Sequence, residues 1–316
     1  MTPRNSVGTI ESIANKHGMS GVCVPLKSVG LINDVWSIGS SVILRIPREA
    51  EYEAGMLSES VAWPLAVSKG LLTPKLLVFD NDRDIVSAPY TLAERATGSI
   101  LGSTFRSPTF GFAEQHWRPV LSALGEQLSH LHQLVDVCPD PASLLNPWWV
   151  DHPLEDLSEC IEKGILSLDE ARWVEKFVSR LESAFAYDPH GTPVHRVLVH
   201  HDVHPWNILI QEDDVRMTAL LDWGCACFGD PAVDFSGLPL WALPPLLDSY
   251  REAGGQVDAG LEGRALWMWL GVALREPLFL DASTFKRHWW RLPEDGVAEL
   301  RHRLVMMPDN WRQWSV

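Results

Sequence analysis

Apolar residues recur along this chain with two different periods, and the change from one to the other divides it. Up to about residue 95 the period is mostly two. Val22, Val24 and Leu26 alternate as in a strand, 28–36, a small polar turn feeding a strand, and 41–47 face each other across Gly39-Ser40 as a hairpin, and 75–80, 84–88 and 90–96 continue the pattern, the first two of these joined by the turn Asn81-Asp82-Arg83. Two helices interrupt it, a short one at 9–17 that Gly18 ends and a longer one at 49–61. Beyond residue 98 the period becomes helical. Trp117, Val120, Leu121, Leu124, Leu128, Leu131 and Leu134 line one face of a helix over 112–135. Helices follow at 154–163 and at 168–185, the latter capped by Ser167 with Glu170 three residues on. An apolar strand at 194–199 and a hairpin at 208–221 come next, and the chain from Pro244 is helical again, with prominent Trp267, Trp269, Trp289 and Trp290. The pattern predicts an α+β fold in which a small antiparallel sheet with one main helix, residues 1–96, precedes a larger and mainly helical lobe, residues 97–316.

Alternation within 42–46 puts Val42, Leu44 and Ile46 on one face and Ile43 and Arg45 on the other. Arg45 is then a charge turned away from its apolar neighbours, suited to holding phosphate oxygens if a carboxylate of the following helix fixes it. Glu49, Glu51, Glu53 and Glu59 are candidates for that carboxylate. Glu53 is preferred, because Met56, Leu57 and Val61 at helical spacing set it on the border of the buried face.

Composition narrows the classes. The formal charge is −15, from 26 Lys and Arg against 41 Asp and Glu, with no basic run to follow a nucleic-acid backbone. An acidic surface suits a cationic partner and equally serves solubility. Five scattered cysteines and an N-terminus without a basic-then-apolar leader predict a cytoplasmic protein without a disulfide framework, and no apolar stretch is long enough to span a bilayer. Cys225 and Cys227 are expected to pack, and His130 and His132 to serve within their helix rather than in chemistry.

The chemistry concentrates in His200-His201-Asp202-Val203-His204-Pro205-Trp206-Asn207, which ends in apolar Ile208-Leu209-Ile210, and in Leu221-Asp222-Trp223-Gly224. A carboxylate with an amide five residues later is pinned by a strand, and the hairpin that follows returns a second carboxylate to the same end of neighbouring strands. Asp202 can then accept a hydroxyl proton while Asn207 and Asp222 present oxygen to Mg²⁺, the equipment of phosphoryl transfer. A zinc-hydrolase reading of His200, His201, Asp202 and His204 lacks helical ligand spacing and leaves Asp222 unexplained. A nucleotide-binding protein without turnover would be expected to lack the base or a metal ligand, and all three are present.

The first stretch resembles the H-G-D-x-H-P-x-N loop, and Leu221 to Gly224 with Gly229-Asp230-Pro231 and Asp234 resembles the I-D-W-x₄-G-D-P-x-x-D block, of the aminoglycoside phosphotransferase and choline kinase superfamily. The resemblance implies a bilobal protein-kinase-like fold, ATP or GTP as donor, Mg²⁺, and a small-molecule hydroxyl as acceptor. It makes Asp202 the catalytic base, Asn207 and Asp222 the metal ligands and Asp234 a buttress. It also makes 91–98 a hinge, where the Glu94 carbonyl and the Ala96 amide are the positions that meet the base. Two departures stand out: Arg45 where kinases usually carry Lys, and the bulky His201 and Trp206 beside the catalytic loop. An antibiotic is the leading acceptor, with Glu276 and Asp281 as candidate contacts for a cationic drug. Choline, homoserine or methylthioribose is the metabolite alternative.

Overall fold

The computed structural model describes residues 4–26, 32–104, 110–138, 140, 142–145, 152–185, 196–279 and 296–316. Helix α1 (Val7–Lys16) starts at Ser6, whose hydroxyl accepts from the Thr9 amide, and stops where Gly18 turns left-handed. Strands β1 (Cys23–Pro25), β2 (Asn33–Ile38) and β3 (Val42–Pro47) follow, then α2 (Glu53–Ser68), β4 (Leu76–Asp80) and β5 (Tyr90–Glu94). The five strands form one antiparallel sheet in the order β1-β2-β3-β5-β4.

The two faces of this sheet have separate destinations. Leu44, Ile46, Tyr90 and Leu92 pack with Ile10, Ile13 and Ala14 of α1 and with Trp36 and Ile38. The opposite side chains, Arg45 and Thr91, are register partners, and Ala93 beside them joins Ala62, Trp63 and Ala66 of α2 in the larger core of the molecule. Period two therefore sends Arg45 toward α2.

The strand expected at 84–88 does not form. Tyr90 pairs with Asp80, so residues 81–89 become the connection of the β4–β5 hairpin. Lys16 anchors that connection through Asp80, Asp82 and Asp84 at 2.8, 3.1 and 2.9 Å, while Ile85 and Val86 lie against the α1 core instead of pairing.

Strand β6 (Ser99–Ile100) pairs with β8 (Ile208–Gln211), which pairs with β9 (Arg216–Leu220). Between them come α3 (Leu101–Thr104), α4 (Phe110–His132), α5 (Leu157–Glu162), α6 (Leu168–Leu181) and β7 (Val197–Val199). The expected capping box of α6 is present, with the Glu170 amide on the Ser167 hydroxyl and the Ser167 amide on the Glu170 carboxylate. After β9 come β10 (Cys227–Gly229), which pairs with β7, then α7 (Leu243–Glu252), α8 (Leu261–Phe279), α9 (Gly296–Met306) and α10 (Asp309–Arg312).

The helical lobe is built on α4, whose Val120, Leu121, Leu124, Leu128 and Leu131 are buried with Leu246, Leu247 and Tyr250 of α7. The fold is the expected α+β arrangement, a small antiparallel sheet followed by a mainly helical lobe. No helix among the described residues is long and apolar enough to cross a membrane. Residues 28–31, 186–195 and 280–295 lie outside the described residues, and with them Asp281, Trp289 and Trp290; the side chain of Glu276 lies outside them as well.

Candidate active site

The loop after β7 is fixed from below by one buried carboxylate. Asp234, fully buried in the 3-10 turn Pro231–Phe235, accepts the His200 amide at 2.9 Å, the His201 amide at 2.6 Å and His132 Nε2 at 3.0 Å. Burial pushes its carboxyl up, but these donors overcome it and hold it below the ordinary range. The network extends outward: His132 Nδ1 is 2.9 Å from the Tyr250 hydroxyl, which accepts the Gln256 amide at 3.1 Å. A neutral His132 protonated on Nε2, receiving the Tyr250 proton on Nδ1, satisfies every member. Asp230 caps the turn through the Ala232 amide and is itself held by buried Arg264 at 2.7 Å.

His201 sits in the left-handed region at φ 65, a conformation costing a β-carbon-bearing residue about 1–2 kcal/mol. The two amide bonds to Asp234 offset that strain. Past it, Asn207 Nδ2 donates to both the Asp202 carbonyl, at 2.9 Å, and Asp202 Oδ2, at 2.8 Å. His204 Nε2 is 3.3 Å from Asp202 Oδ1. Burial raises the Asp202 carboxyl, yet His204, His200 and the Asn207 amide outweigh it and bring it down to about 2. Fully buried His200 joins the two halves of the site: its Nδ1 accepts the Asp202 amide at 3.3 Å and its Nε2 donates to the Leu221 carbonyl at 3.0 Å. Burial depresses its pKa, in keeping with this neutral tautomer.

Strands β8 and β9 pair Ile208 with Leu220, and the Leu221 amide bonds to the Asn207 carbonyl at 2.8 Å, so Asn207 and Asp222 stand at the same end of adjacent strands. Asp222 is left-handed at φ 67, within the range Asp tolerates, and Trp223 after it is fully buried, its indole on the Thr73 hydroxyl at 3.0 Å. Asp222 Oδ1 accepts Arg45 Nη2 at 2.7 Å.

The other fork of Arg45 corrects the expected pairing. Arg45 Nη1 bonds to Glu59 Oε1 at 2.5 Å, whereas Glu53 pairs with Arg83 at 2.5 Å at the exposed start of α2. The reason is helical phase. Glu59 falls in the stripe Met56, Glu59, Trp63, Ala66 that α2 buries, two turns inside the helix, while Glu53 is its first residue. Glu59 is 1% exposed, and among the described residues its Oε2 has no hydrogen-bond partner. Burial pushes its carboxyl up to about 7 in spite of Arg45.

Glu94 and Ala96 lie at the end of β5, Glu94 exposed and Ala96 half-buried. The segment is anchored by the Arg95 amide on the Ser41 carbonyl at 2.7 Å and by the Thr218 hydroxyl on the Thr97 carbonyl at 2.9 Å. The register of β3 with β5 sets Glu94 opposite Val42, three residues from the Arg45–Thr91 pair.

Trp206 lies on α3, where a β-carbon at Gly102 would come within 2.6 Å of the indole. Cys227 is buried as expected, but Cys225, in the 3-10 turn Trp223–Cys225, is exposed and does not fill the core. Among the described residues no group of three or more His, Cys, Asp or Glu is placed to hold a metal ion, and both nitrogens of His200 are bonded to backbone, so the zinc-hydrolase ligand set does not assemble. A hard cation with phosphate oxygens as its other ligands asks less of the protein. Asn207 donates both its bonds through Nδ2 and so keeps its carbonyl oxygen, and Asp222 has a second oxygen beside the one Arg45 holds, a donor set that fits Mg²⁺.

Residues 25–269 match a family model described as the phosphotransferase enzyme family. No curated protein sequence matches the chain. Among solved structures, the GDP complex of wild-type aminoglycoside 2'-phosphotransferase-IIIa is similar with a TM-score of 0.65 at 16% identity, over 94% of this chain and 100% of that one. The macrolide 2'-phosphotransferase MphH from Brachybacterium faecium gives 0.58 at 20% identity over 91% and 97%. The streptomycin–ATP ternary complex of APH(2")-IIa gives 0.53 at 15% over 100% of both chains. At such identities the likeness is one of fold.

Proposed function

The chain belongs to the phosphotransferase enzyme family, and on that premise we propose that it moves the γ-phosphate of ATP or GTP, with Mg²⁺, onto a hydroxyl of a sugar-bearing antibiotic. The observation that carries the reading is the pairing of Asp202 with Asn207 on one loop beside an Asp222 that Arg45 already engages. In this reading residues 1–96 form the nucleotide lobe, with adenine or guanine against the Glu94 carbonyl and Ala96 amide, and residues 97–316 carry the acceptor.

Each residue has a separate task. Asn207 and Asp222 would hold Mg²⁺, which supplies charge neutralisation to the phosphate oxygens. Arg45, kept charged by two carboxylates, adds a fixed cation on the same side. Asp202, with its carboxyl at about 2, is ionised throughout the neutral range but is a weak base. Its work is to aim the acceptor hydroxyl and to receive its proton late, once the phosphoryl group has loosened from the donor. Trp206, whose indole packs on Gly102, and His201 stand in the same loop as Asp202 and would shape the room for the acceptor.

The acidic charge of −15 and the likeness to aminoglycoside and macrolide phosphotransferases support an antibiotic acceptor. The test is a panel of aminoglycosides, macrolides, choline, homoserine and methylthioribose with ATP or GTP and Mg²⁺, read by product mass. A phosphorylated drug supports the reading. Phosphorylation of a metabolite alone would replace the acceptor, and nucleotide binding with no phosphorylated product would replace the activity.

A further inference from the structure

Among the described residues, two side chains meet the Asp202 carboxylate: Asn207 on Oδ2 at 2.8 Å and His204 on Oδ1 at 3.3 Å. His204 is also the N-cap of the 3-10 turn Pro205–Asn207, its Nδ1 accepting the Trp206 amide at 3.1 Å and its carbonyl the Asn207 amide at 2.9 Å. The cap decides the tautomer. Because Nδ1 takes a backbone proton, a neutral His204 carries its own proton on Nε2, the nitrogen that faces Asp202. The backbone beneath has no slack either, since Gly237 packs so closely on the Val203 carbonyl that it has no room for a β-carbon. Asn207 restrains one oxygen of the Asp202 carboxylate, and His204 meets the other.

We propose that His204 is a positioning residue for phosphoryl transfer: by capping the Asn207 turn with one ring nitrogen it aims the other at Asp202 Oδ1 and fixes the carboxylate plane that meets the acceptor hydroxyl. The inference rests on the assignment of Asp202 as the group that receives that hydroxyl, and it gives a task to His204, which the sequence offered only as a letter of the loop motif and a candidate zinc ligand. One imidazole thereby couples the orientation of the base to the turn that carries a metal ligand.

The two nitrogens can be separated by substitution. His204→Asn keeps an oxygen near the Trp206 amide but is too short to reach Asp202. His204→Gln places an amide donor at about the Nε2 position and gives up the near cap, and His204→Ala loses both. The measurements are kcat, KM for nucleotide and for acceptor, and thermal midpoint for the full chain and the three variants. If His204 aims the base, kcat falls about ten- to a hundredfold in His204→Asn and His204→Ala and recovers in part in His204→Gln, with the nucleotide KM unchanged in His204→Asn, which keeps the cap of the Asn207 turn. Thermal stability follows the other order, with His204→Asn nearest to the parent. A kcat that ranks with stability across the three variants, or one unaltered in His204→Asn, overturns the inference while leaving the phosphotransferase reading intact. A parent protein that phosphorylates nothing in the acceptor panel overturns both.

Discussion

The two carboxylates of the site, Asp202 and Asp222, are held by opposite means. Behind Asp202 each member of a buried relay has its partner: Asp234 receives two backbone amides and His132, His132 meets Tyr250, and Tyr250 receives the Gln256 amide. Behind Asp222 the balance is incomplete. Arg45 is one cation between two acids, Glu59 Oε2 has no partner among the described residues, and burial pushes Glu59 up to about 7. A fully satisfied buried network rigidifies, whereas an under-satisfied one is stabilised by whatever brings the missing charge. The acceptor side is therefore built in advance. In the proposed function the Asp222 side is left short of positive charge, which the Mg²⁺ that accompanies the nucleotide would supply.

Substitutions on the two sides should differ accordingly. The largest effect is expected at Asp234→Ala, which strands two amides and His132 in the core: a loss of about 3–5 kcal/mol by chemical denaturation, together with loss of transfer. Arg45→Lys comes next. A single ammonium cannot fork between Glu59 and Asp222, so nucleotide affinity, read by calorimetry, should fall about tenfold, a difference of about 1.4 kcal/mol.

Glu59→Gln should cost the ligand-free protein about 1 kcal/mol or less, because the charge it removes is poorly compensated. Its sign with pH is specific. A carboxyl whose folded pKa is raised binds more protons in the folded state, so its contribution to stability declines as pH rises from about 4.3, the unfolded value, to about 7. That decline should disappear in Glu59→Gln. If Glu59→Gln destabilised as much as Asp234→Ala, the contrast between the two sides would fail. The smallest effect belongs to Glu53→Ala, which removes an ion pair with the partly exposed Arg83 and should change stability by about 0.5 kcal/mol or less with nucleotide affinity unaltered.

The same contrast explains what could be read from sequence. Period two set Arg45 on its face of β3, and the turn-then-strand pattern brought Asn207 and Asp222 to one strand end, because both follow from local geometry that the residues themselves impose. A helix over residues 49–61 sets Glu53 at the edge of the buried face, whereas the stripe of α2 that runs on to Ala66 centres on Glu59 and makes it the partner of Arg45. The extra strand at 84–88 was lost to a tertiary ion cluster centred on Lys16, which no local pattern announces. His132 and Tyr250 were hidden as site residues for a related reason, and His204 stood in the loop motif without a task. Their significance lies in partners 102, 118 and two residues away along the chain, and a histidine's tautomer is set by whichever partner folding provides.

The most direct test of the central claim is transfer by the Asp202→Ala variant against the parent protein, with the acceptor that the panel identifies and with nucleotide binding measured in parallel. Removal of the group that aims and deprotonates the hydroxyl should lower kcat by about 10²–10⁴-fold while the nucleotide still binds as in the parent. Transfer at the parental rate by Asp202→Ala would contradict the account.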